Sequence, residues 1–304
     1  MLKDALEGLR IVDAHHHLWD LSANYYPWLT DRITERVCGD YAAIRRDYRL
    51  ADFRRDAAGL NLVKSVHVQA EHDPRDPVRE IRWLQAIADD PDSDGFPHAV
   101  VAYADLAAPD IEAILEAHRE SPNLRGIRQM LHEAYIDPRS PGHSPIDDPV
   151  WQRSVALLAK HDLSFDLQVY PEQMDAAFAL VRREPQVSFV LCHTGQPTRR
   201  DAKSLVAWRR GMRKLAEADN LMVKISGLGM FDRAWTPESI RPFVLEAIEI
   251  FGTARCLFAS NFPVDGMMSS YGRLWSAYSE ITVEFSDAER AALFAENAER
   301  VYRI

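Results

Sequence analysis

Two histidines one residue apart, His15 and His17, are the first feature of this sequence that points to chemistry. Side chains along an extended strand alternate sides, so these two imidazoles point the same way and His16 points the other. At a strand end such a pair offers two nitrogen ligands to a divalent ion such as zinc. Asp13 is expected on the same side, one step deeper, placed to orient a ring. His193 leaves a second apolar run, Val187 to Cys192, and enters the turn Thr194-Gly195-Gln196-Pro197. A third run ends in Asn261 and, four residues later, Asp265, whose carboxylate can ligate a metal or take a proton from water. The plain alternatives are a rim histidine that only makes a hydrogen bond and an aspartate that only caps a helix.

Other polar residues interrupt or follow apolar runs: Gln69, Glu71 and His72, then Tyr103, then Arg128 and His132, then Lys224. A cation inside a folded core is costly unless it meets an anion or a carbonyl oxygen. Arg128 and Lys224 are therefore read as substrate-orienting or oxyanion-stabilising groups, with a structural ion pair as the alternative. Gln69, Glu71, Tyr103 and Asn261 complete the expected substrate-binding set.

The elements that must position these residues recur in a regular order. Eight short apolar runs read as strands: Leu9 to Ala14, Lys64 to Gln69, Ala99 to Leu106, Leu124 to Met130, Ser164 to Tyr170, Val187 to Cys192, Leu221 to Ser226 and Cys256 to Ser260. Amphipathic stretches separate them. Pro77 to Asp89 places Val78, Ile81, Leu84, Ile87 and Ala88 on one face, Pro171 to Arg182 opens on proline and a glutamate, and Ser286 to Tyr302 opens on a Ser-x-x-Glu capping box and reads as the closing helix. Strand-helix alternation implies parallel strands, and eight repeats with no Gly-rich phosphate loop favour a (β/α)8 barrel over a nucleotide-binding sheet. Residues 1–304 read as one domain. Leu18 to Tyr48, with Trp19, Tyr25, Tyr26, Pro27 and Trp28, is a long first βα loop expected to fold over the barrel mouth or to form an aromatic satellite core.

Composition bounds the function. A net charge of −10 and no basic run beyond short pairs argue against nucleic acid. No apolar stretch is long enough to span a membrane, and charges near the N-terminus do not suit a signal peptide, so the expectation is a cytoplasmic protein. Three cysteines, Cys38, Cys192 and Cys256, without CxxC spacing suggest neither a disulfide framework nor a thiolate zinc site. Self-association into a homo-oligomer is left open.

Taken in order, Val12-Asp13-Ala14-His15-His16-His17-Leu18-Trp19-Asp20, Gly126-Ile127-Arg128-Gln129, His193-Thr194-Gly195-Gln196-Pro197 and Ala259-Ser260-Asn261-Phe262-Pro263 resemble the amidohydrolase superfamily, and within it the branch of sugar-lactone and dicarboxylate lactonases. The resemblance spans nearly the whole chain. It implies a TIM barrel, hydrolysis of a lactone ring, His15 and His17 on a divalent metal such as zinc, and His193 in the site. Two positions depart from the pattern: Asn261 stands where the superfamily has its strand-eight aspartate, and Gln168 where many members carry a strand-five histidine.

The expected activity is hydrolysis of a sugar lactone to its hydroxy acid. Asp265 would deprotonate the attacking water, and His193 or Arg128 would stabilise the tetrahedral oxyanion. The alternatives are decarboxylation or hydration of an aromatic acid on the same fold, and a barrel that binds a ligand without turning it over.

Overall fold

A computed structural model describes residues 6, 8–34, 36–132 and 144–304. Its centre is one sheet of eight parallel strands in sequential order: β1 (Ile11–His16), β2 (Leu62–Val68), β3 (Ala99–Ala102), β4 (Leu124–Ile127), β5 (Ser164–Leu167), β6 (Phe189–Leu191), β7 (Leu221–Ile225) and β8 (Cys256–Phe258). The sheet closes on itself beyond β8, where the Asn261 amide donates to the His15 carbonyl at 2.7 Å and the His17 amide to the Phe262 carbonyl at 2.7 Å. Helices lie between the strands, as the alternation requires, and the result is a (β/α)8 barrel. Parallel strands are covered on both faces, which is why each reads as a continuous apolar run.

Two cores follow from that geometry. The larger one fills the layer between sheet and helices. The smaller lies inside the barrel and is built from narrow side chains, Val12, Ala14, Val66, Val101, Val190 and Ala259 among them. The closing segment plugs that interior with Ala295, Ala298 and Tyr302. Its capping box forms as the spacing predicts, with the Ser286 side chain accepting from the Glu289 amide. It is not one continuous helix, however: Asp287–Ala291 passes through a π-helical turn, Ala292–Glu296, before Asn297–Tyr302. Such a turn re-aims the side chains that follow it.

The first strand departs from simple alternation. Asp13 pairs with Ser65 and His16 with His67, so three steps on β1 oppose two on β2. One extra residue is the signature of a bulge. Ala14 therefore packs inside the barrel while the Asp13 carboxylate turns away from the imidazoles, accepting from Ser260 Oγ and from Tyr271 Oη at 2.9 Å. The expectation that Asp13 lies beside His15 is corrected by this bulge; Asp13 ties β1 to the end of β8 instead. His16 faces the helices, stacked on Phe53 and bonded to Ser65 Oγ at 2.9 Å.

The long first loop reaches the barrel mouth, and its aromatics join the main core rather than forming a satellite cluster. Trp19, Tyr26, Tyr41 and Tyr48 are buried, and Trp19 and Tyr48 form an antiparallel bridge that ties the loop's ends together. Trp28 reaches further, donating its indole N–H to the Ala70 carbonyl at 2.8 Å at the end of β2. Among the described residues no helix is long and apolar enough to cross a membrane.

Candidate active site

At the C-terminal end of the strands lies a pocket of about 60 Å³. One water position needs about 10–15 Å³ measured this way, so the space holds a small ring rather than a polymer. Its polar wall is His17, Arg36, Glu71, Arg128, Gln168, His193 and Asn261. Trp28, Val37, Met130, Met230 and Val264 form the apolar wall. The pocket is thus amphipathic.

Three of the polar residues sit where the chain leaves a strand in the left-handed conformation: Glu71 at φ 57°, His193 at φ 53° and Asn261 at φ 57°. Non-glycine residues rarely adopt it, and clusters of such residues mark functional sites. Gly227 is required for a related reason. Its φ is 68°, and a Cβ there would stand 2.8 Å from His193 Nδ1.

The three imidazoles converge. Ring centroids of His15 and His17 are 5.0 Å apart, and those of His15 and His193 4.6 Å apart. Burial holds all three well below the usual histidine range, reinforced by the neighbouring cations Lys224 and Arg128, so they are neutral. For His17 the tautomer follows from geometry. Its Nδ1 lies 2.6 Å from the Val68 carbonyl, which can only accept, so Nδ1 carries the proton and Nε2 keeps its lone pair. His193 Nδ1 is 3.1 Å from Ser226 Oγ.

Arg128 is the charged centre of the site. It is 3 % exposed, and its partners are all neutral: Gln168 Oε1 at 3.1 Å, the Gln69 carbonyl and His15 Nε2 at 3.5 Å. Lys224 ends differently. Its ammonium is buried under the pocket, 2.5 Å from Asp166 Oδ2, while Tyr302 donates to the other oxygen at 2.8 Å. The ion-pair alternative describes Lys224, not a place on the pocket wall. Tyr103 is likewise absent from the wall among the described residues, its hydroxyl pushed up to about 12 by burial and Asp105. Gln69 acts from behind, its carbonyl holding Arg128 and its side chain accepting from the Glu71 amide at 2.6 Å.

Asp265 is 3 % exposed and does not line the pocket. Burial pushes its carboxyl up to about 8, offset in part by Asn261 and by the Gly227 and Met230 amides. Near neutrality it holds its proton, and a protonated acid cannot accept one from water. His72 and His132 also lie outside the wall.

The donor set suits a divalent ion. Neutral imidazoles are what zinc takes, and His17 donates Nδ1–H to a carbonyl in the way metal-bound histidines do. The guanidinium 3.5 Å from His15 Nε2 would share the space with any such ion. Among the described residues, the group of three whose donor atoms lie within 4.8 Å of one another is His15, Asp166 and Cys192. Both Asp166 oxygens are already engaged there, and the Cys192 thiol is pushed up to about 12 by burial, so this is a hydrogen-bonded cluster under the pocket floor.

The amidohydrolase family profile matches residues 12–304. The chain belongs to the amidohydrolase family. Protein y4mH of Sinorhizobium fredii, described as uncharacterised, is 44 % identical over 306 residues, covering 98 % of this chain and all of that one. An L-fucono-1,5-lactonase of Burkholderia ambifaria is 30 % identical over 96 % of this chain and 95 % of its own. The crystal structure of a Burkholderia multivorans amidohydrolase with bound zinc superposes with a TM-score of 0.81 at 28 % identity, covering 97 % of this chain and 99 % of that one. As an amidohydrolase the chain is a hydrolase by family, and it shares a barrel with a relative that holds a metal.

Sequence reasoning missed Arg36 and Asp166. Arg36 enters the pocket from the long loop, 3.0 Å from Glu71 Oε1. Nothing local marks it. Asp166 carried a signal, a carboxylate inside the run Ser164-Phe165-Asp166-Leu167, of the same kind that singled out Arg128 and Lys224.

Proposed function

We propose that this amidohydrolase opens a sugar lactone to its hydroxy acid. The observation that carries the reading is Arg128, a buried guanidinium whose described partners are all neutral, facing a pocket of small-ring size. Leaving such a charge uncompensated is costly unless an anion arrives, and the anion of lactone hydrolysis is the tetrahedral oxyanion. The 30 % identical lactonase supports the same reading.

The chain's own residues supply the steps. The ring carbonyl oxygen points at the Arg128 guanidinium. Water attacks the carbonyl carbon from the side of His17 and His193; Nε2 of His17 accepts its proton. Arg128 holds the oxyanion. When the intermediate collapses, the C–O bond to the ring oxygen breaks, the imidazolium returns its proton to that oxygen, and a hydroxy carboxylic acid leaves, ionising at neutral pH. The base is thus placed on an imidazole, and Asp265, protonated behind Asn261, braces the turn that follows β8. A divalent ion such as zinc would be held by His15 and His17 and would polarise the carbonyl as a Lewis acid; the His17 Nε2 lone pair would then be taken, and His193 would be the imidazole that accepts the water's proton.

The test is a pH-indicator screen of the purified protein against aldonolactones, with and without chelator. Proton release at enzymatic rates is expected. Release from none of them overturns the proposal.

A further inference from the structure

The pocket carries a feature that ester hydrolysis does not need. Across its mouth, Arg36 of the first loop and Glu71 at the end of β2 form an ion pair at 2.9 Å, with side chains only 15 % and 26 % exposed. Both line the pocket. The pair is held from every side: the Arg36 guanidinium stacks over Trp28 at 4.7 Å, Trp28 donates to the Ala70 carbonyl at 2.8 Å, and the Ala70 amide donates to the buried Glu80 carboxylate at 3.0 Å. Glu71 itself occupies a left-handed backbone position, its backbone N–H donating to Gln69 Oε1. A strained residue held this firmly, with its carboxylate on the pocket wall, is built to present that carboxylate.

What can it recognise? Within the pair each charge offsets the other, so a ligand at Glu71 does not meet a bare carboxylate. An ionised carboxylate has about four lone-pair directions, and Arg36 Nη1 contacts both oxygens, which leaves acceptor positions pointing elsewhere. Neutral donors that come in adjacent pairs fit that description, and vicinal hydroxyls are such donors. We infer that the Arg36–Glu71 pair is the hydroxyl-reading edge of the pocket, selecting lactones that carry hydroxyls on the ring carbons or side chain remote from the carbonyl held by Arg128. This rests on the lactone reading above and adds to it which residues set the substrate class: polyhydroxylated and uncharged. The long first loop is then a specificity element, since it supplies one half of the pair.

The experiment compares three probes: an aldonolactone, δ-valerolactone without hydroxyls, and homoserine lactone, which bears an ammonium. Glu71→Gln is expected to lower kcat/KM for the aldonolactone about tenfold more than for δ-valerolactone, mostly through KM, as loss of one charge-assisted bond implies. Arg36→Ala bares the Glu71 carboxylate and is expected to raise the kcat/KM ratio of homoserine lactone to aldonolactone at least about tenfold, a gain that misfolding cannot imitate. Equal losses on all three probes in Glu71→Gln, or no shift toward homoserine lactone in Arg36→Ala, overturn the inference while leaving lactone hydrolysis standing. A wild-type protein inert on every aldonolactone of the screen overturns both.

Discussion

Among the described residues two cations are buried in this barrel, Lys224 and Arg128, and they have been given opposite surroundings. Lys224, below the pocket, meets a carboxylate at 2.5 Å whose second oxygen is bonded by Tyr302. Arg128, at the pocket wall, meets an amide oxygen, a backbone carbonyl and an imidazole. The first charge is complete within the fold and the second is not. Among the described residues Arg128 has no carboxylate within hydrogen-bond reach, so on the proposed reading the difference separates the residue that holds the barrel from the residue that meets the reacting group.

The comparison breaks most sharply at Lys224. Lys224→Met leaves Asp166 buried without its cation and is expected to cost about 3–5 kcal/mol in urea unfolding, with Asp166→Asn added to it recovering part of the loss. A loss below about 1 kcal/mol would show that the pair does not hold the barrel. Arg128→Met should behave in reverse. It is expected to lower kcat/KM about 10²–10³-fold while stability stays level or rises, because a charge without an ionic partner has been removed. Collapse of stability in this variant would erase the distinction between the two cations.

A third test uses pH. Asp265 carries a folded value raised from 3.8 to about 8, so the folded chain holds a proton that the unfolded chain releases. Stability from this group is complete below about pH 3.8 and is lost as pH rises through about 8, with a slope of up to about 1.4 kcal/mol per unit. Glu80, raised to about 7, and Asp13, raised to about 6, act in the same direction. The lowered histidines act the other way, their contribution being lost as pH falls below 6.5. Between pH 6.5 and 8 the wild type should therefore lose about 2 kcal/mol through Asp265, and Asp265→Asn should flatten that limb. Parallel curves for the two proteins would mean that Asp265 is already ionised. The smallest expected effect is of chelation, since Arg128 already supplies a fixed positive charge beside His15 Nε2. Complete loss of activity, restored by zinc, would transfer the electrophile's role from Arg128 to an ion.

The fold was readable because the strands are mostly apolar and each run is bounded by turn residues: β3 to β8 fall within the expected segments, β1 is shifted by two residues, and β2 begins two residues earlier than expected. The shift in β1 has a definite cause. Alternation assumes an unbroken pleat, and the one extra residue between Asp13 and His16 turns Asp13 to the other side while leaving His15 and His17 together. Site residues were legible where a polar side chain interrupts an apolar run, as at Arg128 and His193. They were not legible where placement depends on a loop returning from a distance, as at Arg36, or where two interruptions 58 residues apart complete each other, as do Asp166 and Lys224.

Tyr302 gives that last pairing an unexpected timing. Its hydroxyl reaches Asp166 across 136 residues of chain. During synthesis, Asp166 emerges first, Lys224 next and the tyrosine much later, so the nascent barrel must wait with a half-finished charged interior before the plug arrives. Contacts of such long sequence separation form late and slowly. The strands that carry the candidate site are made well before the residue that seals the floor beneath them.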